Sequence, residues 1–139
     1  DIEEFVFIPR YNVKVAAGHG YIVEDEKPRF TMAFRKYWIR FHLRTDPKSL
    51  SVVKVTGDSM EEKIAEDAAI AVDTGETAIR DGKIYAFAQD GMFRVKYLIR
   101  QPGGNVLIRS HNSGFYPDET APLDSLTVIG RVFWWSVLD

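Results

Sequence analysis

The sequence predicts a mainly β fold: bent antiparallel sheets, closed at most into a partial barrel, with one or two short helices. Two observations carry this. Short runs rich in β-branched and aromatic residues recur from residue 50 onward: Leu50–Val55, Ala68–Val72, Ile84–Phe87, Met92–Ile99, Val106–Arg109 and Thr127–Val137. Asp81-Gly82, Asp90-Gly91 and Pro102-Gly103-Gly104 punctuate them with the residue types that tight hairpin turns demand. Strands at this spacing favour a barrel or bent sheets over a doubly wound α/β fold.

The N-terminal part is read in chain order. Tyr11, Val13 and Val15 alternate with Asn12, Lys14 and Ala16, the period of a half-buried strand, which Gly18-His19-Gly20 ends. Glu24 to Pro28 form a charged loop. Phe34, Tyr37, Trp38 and Phe41 fall at helical spacing and predict a short amphipathic helix, although Tyr37, Ile39, Phe41 and Leu43 also alternate. Thr45 to Ser49 read as a turn. Residues 1–28 therefore form a region with the first strand, and residues 29–139 the main body of one compact domain.

At the other end, Val128 to Leu138 carry more large apolar residues than a free edge strand tolerates. Alternation puts Ile129, Arg131, Phe133, Trp135 and Val137 on one face. A second copy of the strand across a two-fold axis would cover that face, so a homodimer with Phe133 or Trp135 near its centre is expected.

Composition narrows the function. The chain has 139 residues, 45% hydrophobic and 13% aromatic, enough for a genuine core. Its 18 basic and 20 acidic side chains give a net charge of −2, unlike the basic footprint of a nucleic-acid module. The absence of cysteine excludes disulfides, thiolate metal sites and thiol nucleophiles, and makes a reducing cytoplasm the expected compartment. No apolar run approaches the roughly 18 residues that span a bilayer, so no membrane association is expected. Neither a metal nor a cofactor is expected. The lack of an initiator Met suggests a piece of a longer chain.

The motif that carries chemistry is Val55-Thr-Gly57-Asp58-Ser59-Met60, a serine set just after a strand. A catalytic serine needs a base, and histidine or a neutral lysine can serve. His19, His42 and His111 have no local triad signature: His42 falls in the aromatic helix and His111 in a polar turn. Lysine works only where burial lowers its pKa. On the Met92–Ile99 strand, Lys96 shares a face with Arg94 and Leu98, which read alone is a solvated face. Ser59 read alone is a turn serine.

Taken together and in order, Gly57-Asp58-Ser59-Met60, Asp67, Asp73, Asp81-Gly82, Val95-Lys96, Ser110-x-Asn112 and Ile129-Gly130-Arg131-Val132 resemble the C-terminal domain of LexA and of phage repressors such as the lambda repressor. The resemblance runs from about Tyr11 to the end. It implies the bent-sheet fold shared with signal peptidases and a self-cleaving Ser-Lys peptidase. Ser59 is then the nucleophile, Lys96 the general base, and the backbone amides around Asp58 and Ser59 the oxyanion hole. It also implies a cut between a small residue and glycine upstream, which places the scissile bond at Ala17-Gly18. Glycine there permits the sharp turn that presents the carbonyl. Two positions depart from the family pattern: Glu61-Glu62 stand where proline is common, and Glu66 where glycine usually precedes the aspartate.

The resemblance further implies a repressor whose DNA-binding part precedes this chain and reaches operator DNA, with a RecA filament or an antirepressor protein as the regulating partner. Two other readings share the fold: a dimerisation module that does not cleave, and an accessory subunit of a translesion polymerase. The lack of a membrane segment argues against a signal peptidase.

Overall fold

The computed structural model describes residues 5–9, 31–55 and 57–137. The expected strand from Tyr11, the Ala17-Gly18 bond and His19 lie outside the described residues. Among the described residues there are nine strands: β1 (Phe5–Pro9), β2 (Thr31–Arg35), β3 (Leu50–Lys54), β4 (Ala69–Asp73), β5 (Lys83–Gln89), β6 (Met92–Gln101), β7 (Asn105–Arg109), β8 (Glu119–Pro122) and β9 (Thr127–Trp135). β1 and β2 form a two-stranded sheet. The others form an open seven-stranded sheet in the order β3-β4-β9-β5-β6-β7-β8, every pairing antiparallel.

All six strands expected from residue 50 onward are present, most with ends shifted by one or two residues. β1, β2 and β8 were not expected; Glu119-Thr-Ala-Pro122 is a polar, proline-ended edge strand with no alternation to read. The expected helix is partly correct. Phe34 lies on β2, whereas Trp38–Leu43 form a wide helical turn that Arg44 ends at a left-handed φ of 55°.

Asp90-Gly91 turns β5 into β6, and Pro102-Gly103-Gly104 turns β6 into β7. Asp81-Gly82 is no hairpin: β4 and β5 do not pair, because β9 lies between them.

That position of β9 corrects the edge-strand reading of the C-terminus. The strand is paired on both sides, and its alternation is interrupted. Between Ala71↔Trp134 and Val72↔Val132 one residue of β9, Phe133, is left over as a bulge. The slip sends Phe133 and Trp134 together onto the cluster of Ile39, Leu50, Val52, Ala69 and Ala71, while Trp135 packs on the main core. Phe133 meets Phe34 and Trp38 at ring distances of 6.2 and 5.9 Å. Phe133 and Trp135 are thus not neighbours on one face.

β5 explains why the sheet can hold a site. Its alternating residues serve different clusters, Ile84, Ala86 and Ala88 facing the core under β3 and β4, Tyr85 and Phe87 facing Leu98, Val106 and Ile108. Covered on both faces, β5 pairs with β6 over seven positions. Gly130 lets β9 close on β4: a Cβ there would stand 2.3 Å from the Asp73 carbonyl oxygen.

Candidate active site

The Ser59 turn is the connection from β3 to β4. The ladder runs one pair beyond the strands, with the Val55 N–H donating to the Ala68 carbonyl at 2.8 Å and the Asp67 N–H to Val55 at 3.0 Å. Gly57 takes a φ of 83°, which a residue with a Cβ reaches only at a cost, and so reverses the chain before Asp58 and Ser59. Met60 and Ile64, both buried, plug the turn into the main core. Removing most of such a buried side chain typically costs about 2–5 kcal/mol, so the turn is anchored from beneath. The two departures from the family pattern meet in one hydrogen bond. Glu66 donates its N–H to the Glu61 carboxylate at 2.8 Å.

Lys96 sits on β6 opposite Tyr85. Its side chain is only 5% exposed, which overturns the solvated-face reading. The amine donates to Ser110 Oγ at 2.7 Å, and the Tyr116 ring lies 5.3 Å from it. Among the described residues Lys96 forms no ion pair. Burial holds its pKa below the ordinary lysine value, and the Arg94 charge adds to this; Glu119 opposes both.

Ser59 and Lys96 meet at one cleft of about 240 Å³, lined also by Val55, Gly57, Asp58, Met60 and Tyr116. Among the described residues no acceptor meets the backbone N–H of Asp58 or Ser59.

A loop from Ser110 to Tyr116 holds the arrangement. The Asn112 backbone N–H donates to the Ser59 carbonyl at 3.0 Å and its side-chain amide to the Asp58 carbonyl at 3.2 Å. The Tyr116 hydroxyl donates to the Asp58 carboxylate at 2.5 Å, and this bond raises the tyrosine pKa. Sequence reasoning gave Ser110, Asn112 and Tyr116 no role. A signal for Ser110 existed. The Pro-Gly-Gly turn fixes Gln101 opposite Asn105, and five steps back along each strand lead to Lys96 and Ser110.

His111 is exposed, shares a hydrogen bond with the Tyr97 hydroxyl at 2.9 Å and does not line the cleft. The His42 side chain lies outside the described residues. Among the described residues no three His, Asp or Glu side chains come together as a metal site, and no helix is long and apolar enough to cross a membrane.

Residues 9–133 match the Peptidase S24-like family. Over 98% of its length the chain is 40% identical to the HTH-type transcriptional regulator PrtR of Pseudomonas aeruginosa, covering 55% of that protein. Over 91% of its length it is 38% identical to the repressor protein CI of Enterobacteria phage phi80, covering 54% of it. The chain thus spans about half the length of these relatives.

Proposed function

This chain belongs to the Peptidase S24-like family, and on that premise we propose that it is the regulatory segment of a transcriptional repressor that cuts its own backbone at Ala17-Gly18. One observation carries the reading most: a buried lysine, bonded among the described residues only to a neutral hydroxyl, borders the same cleft as a turn serine. Neutral Lys96 takes the Ser59 hydroxyl proton, and the oxygen adds to the Ala17 carbonyl carbon. The Asp58 and Ser59 N–H groups receive the oxyanion. The ammonium returns the proton to the departing Gly18 nitrogen, leaving an ester that water hydrolyses with the same amine as base.

The relatives are named a transcriptional regulator and a repressor. By analogy, cleavage would separate an N-terminal DNA-binding part from a dimerising part and remove the avidity that holds paired half-sites. A RecA filament or an antirepressor would supply the trigger. Dimerisation would use the half-buried aromatics of the C-terminal strand, Phe133 or Trp135, with sedimentation of Trp135→Arg against the parent as its check; a folded variant that stays fully dimeric excludes that surface.

Incubation at about pH 10, near the reference lysine pKa, followed by mass spectrometry, tests the reaction. A fragment beginning at Gly18 is expected from the parent and none from Ser59→Ala. An intact parent chain supports the dimerisation module that does not cleave.

A further inference from the structure

We propose that Tyr116 is a specificity-determining residue of the cleft, its ring walling the leaving-group side so that glycine, but no residue with a side chain, is accepted after the scissile bond. The inference rests on the Ser-Lys reading above and deepens it, since it assigns the selection at position 18 to a residue of the fold.

Among the described residues two segments make the long walls of the cleft, the Ser59 turn and the stretch of β6 that ends at Lys96, and Tyr116 alone comes from a third. Its ring is held from both ends. The Tyr116 backbone N–H donates to the Asn112 carbonyl at 3.0 Å, and its hydroxyl donates to the Asp58 carboxylate at 2.5 Å. Between these anchors the ring centre lies 5.3 Å from the Lys96 nitrogen. The loop does not turn every aromatic inward: Phe115 is 83% exposed, whereas Tyr116 is 38% exposed and lines the cleft.

Proton transfer decides which side of the scissile bond meets this ring. Lys96 takes the Ser59 proton and returns it to the departing nitrogen of residue 18, so that nitrogen must come within hydrogen-bond reach of Nζ, roughly 3 Å. The α carbon that follows then enters the space between Nζ, the ring and the Ser59 turn. A Cβ on that carbon would need a further carbon–carbon separation of about 3.5–4 Å, which a ring anchored on Asp58 does not leave. Residue 17 is on the acyl side of the carbonyl, directed away from Nζ, and its methyl group escapes the ring. Glycine at 18 has a rival explanation in the sharp backbone turn. That requirement belongs to the substrate segment and is independent of residue 116.

The test follows release of the fragment beginning at residue 18 from the 139-residue chain at about pH 10. The parent, Tyr116→Ala and Tyr116→Phe are each compared with and without Gly18→Ala, with folding checked by circular dichroism. The quantity read is the ratio of each chain's rate to that of its Gly18→Ala counterpart, in which any general effect of the loop change on the dyad cancels. For the parent this ratio is expected to be at least about tenfold, the discrimination that one carbon commands in a shaped pocket. Tyr116→Phe keeps the ring and should keep the preference, while Tyr116→Ala should bring the ratio near unity even where both rates fall. If Tyr116→Ala does not fold, Tyr116→Val takes its place. A parent that tolerates Gly18→Ala, a preference that survives in Tyr116→Ala, or one that is lost in Tyr116→Phe each overturn the inference and leave the dyad intact. A matching relaxation toward Ala17→Val in Tyr116→Ala also overturns it, because the cleft would then have opened as a whole. A parent that releases no fragment overturns the Ser-Lys reading, and the inference with it.

Discussion

Two cations two residues apart on β6 receive opposite treatment. Arg94 is clamped by Glu119 through two bonds of 2.6 and 3.2 Å, bonded to Gln89 at 2.7 Å, and lies over the Phe87 ring. Among the described residues Lys96 has no carboxylate partner, only the Ser110 hydroxyl and an aromatic face. The first environment fixes a charge in place and the second disfavours one. A lysine becomes a base by what is withheld from it as much as by what surrounds it. The Arg94 charge itself lowers the Lys96 pKa, and this outweighs the opposing influence of Glu119.

Removing the disfavoured charge should produce the largest effect. Lys96→Met is expected to stop cleavage, a loss of about 10²-fold or more. The same change should leave the protein as stable or more so at neutral pH, by up to about 1 kcal/mol, because a buried charge is exchanged for a packed apolar chain. Thermal unfolding checks it, and a clear fall in melting temperature would mean that the ammonium is a stabilising element. The gain should fade as pH rises. Lys96 has a folded-state pKa below its unfolded value, so its penalty is complete below the folded pKa and relieved as pH climbs toward 10.5.

Shifting the neighbours sharpens the contrast with smaller effects of opposite sign. Arg94→Gln removes a repelling charge, so the cleavage midpoint should move to higher pH. Glu119→Gln removes an attracting one, so the midpoint should move to lower pH, and by less, since it is the weaker influence. Cleavage rates measured across pH report both. Two shifts in the same direction would break the electrostatic account.

The contrast also marks what was legible in the sequence. The strands carrying Ser59 and Lys96 follow from their β-branched and aromatic runs and hairpin turns, which are local signals. The burial of Lys96 does not. It depends on Ser110 and Tyr116, 14 and 20 positions away, folding over one face of β6, while alternation could say only that Lys96 shares a face with Arg94. Phe133 shows the same limit. A single bulged residue, placed by the pairing of β9 with β4, reverses the faces that strict alternation assigns. The Ser110 contact was within reach, because the Gln101–Asn105 turn fixes the register and counting supplies the rest.

Direct titration of the Lys96 amine tests the account at its centre. Heteronuclear NMR of the side chain, followed against pH in Ser59→Ala so that the chain stays intact, should show Lys96 losing its proton below the ordinary lysine value of 10.5. Further titration with Ser110→Ala added should bring it lower still. A Lys96 that holds its proton to 10.5 or beyond would contradict the claim that this site turns a lysine into a base.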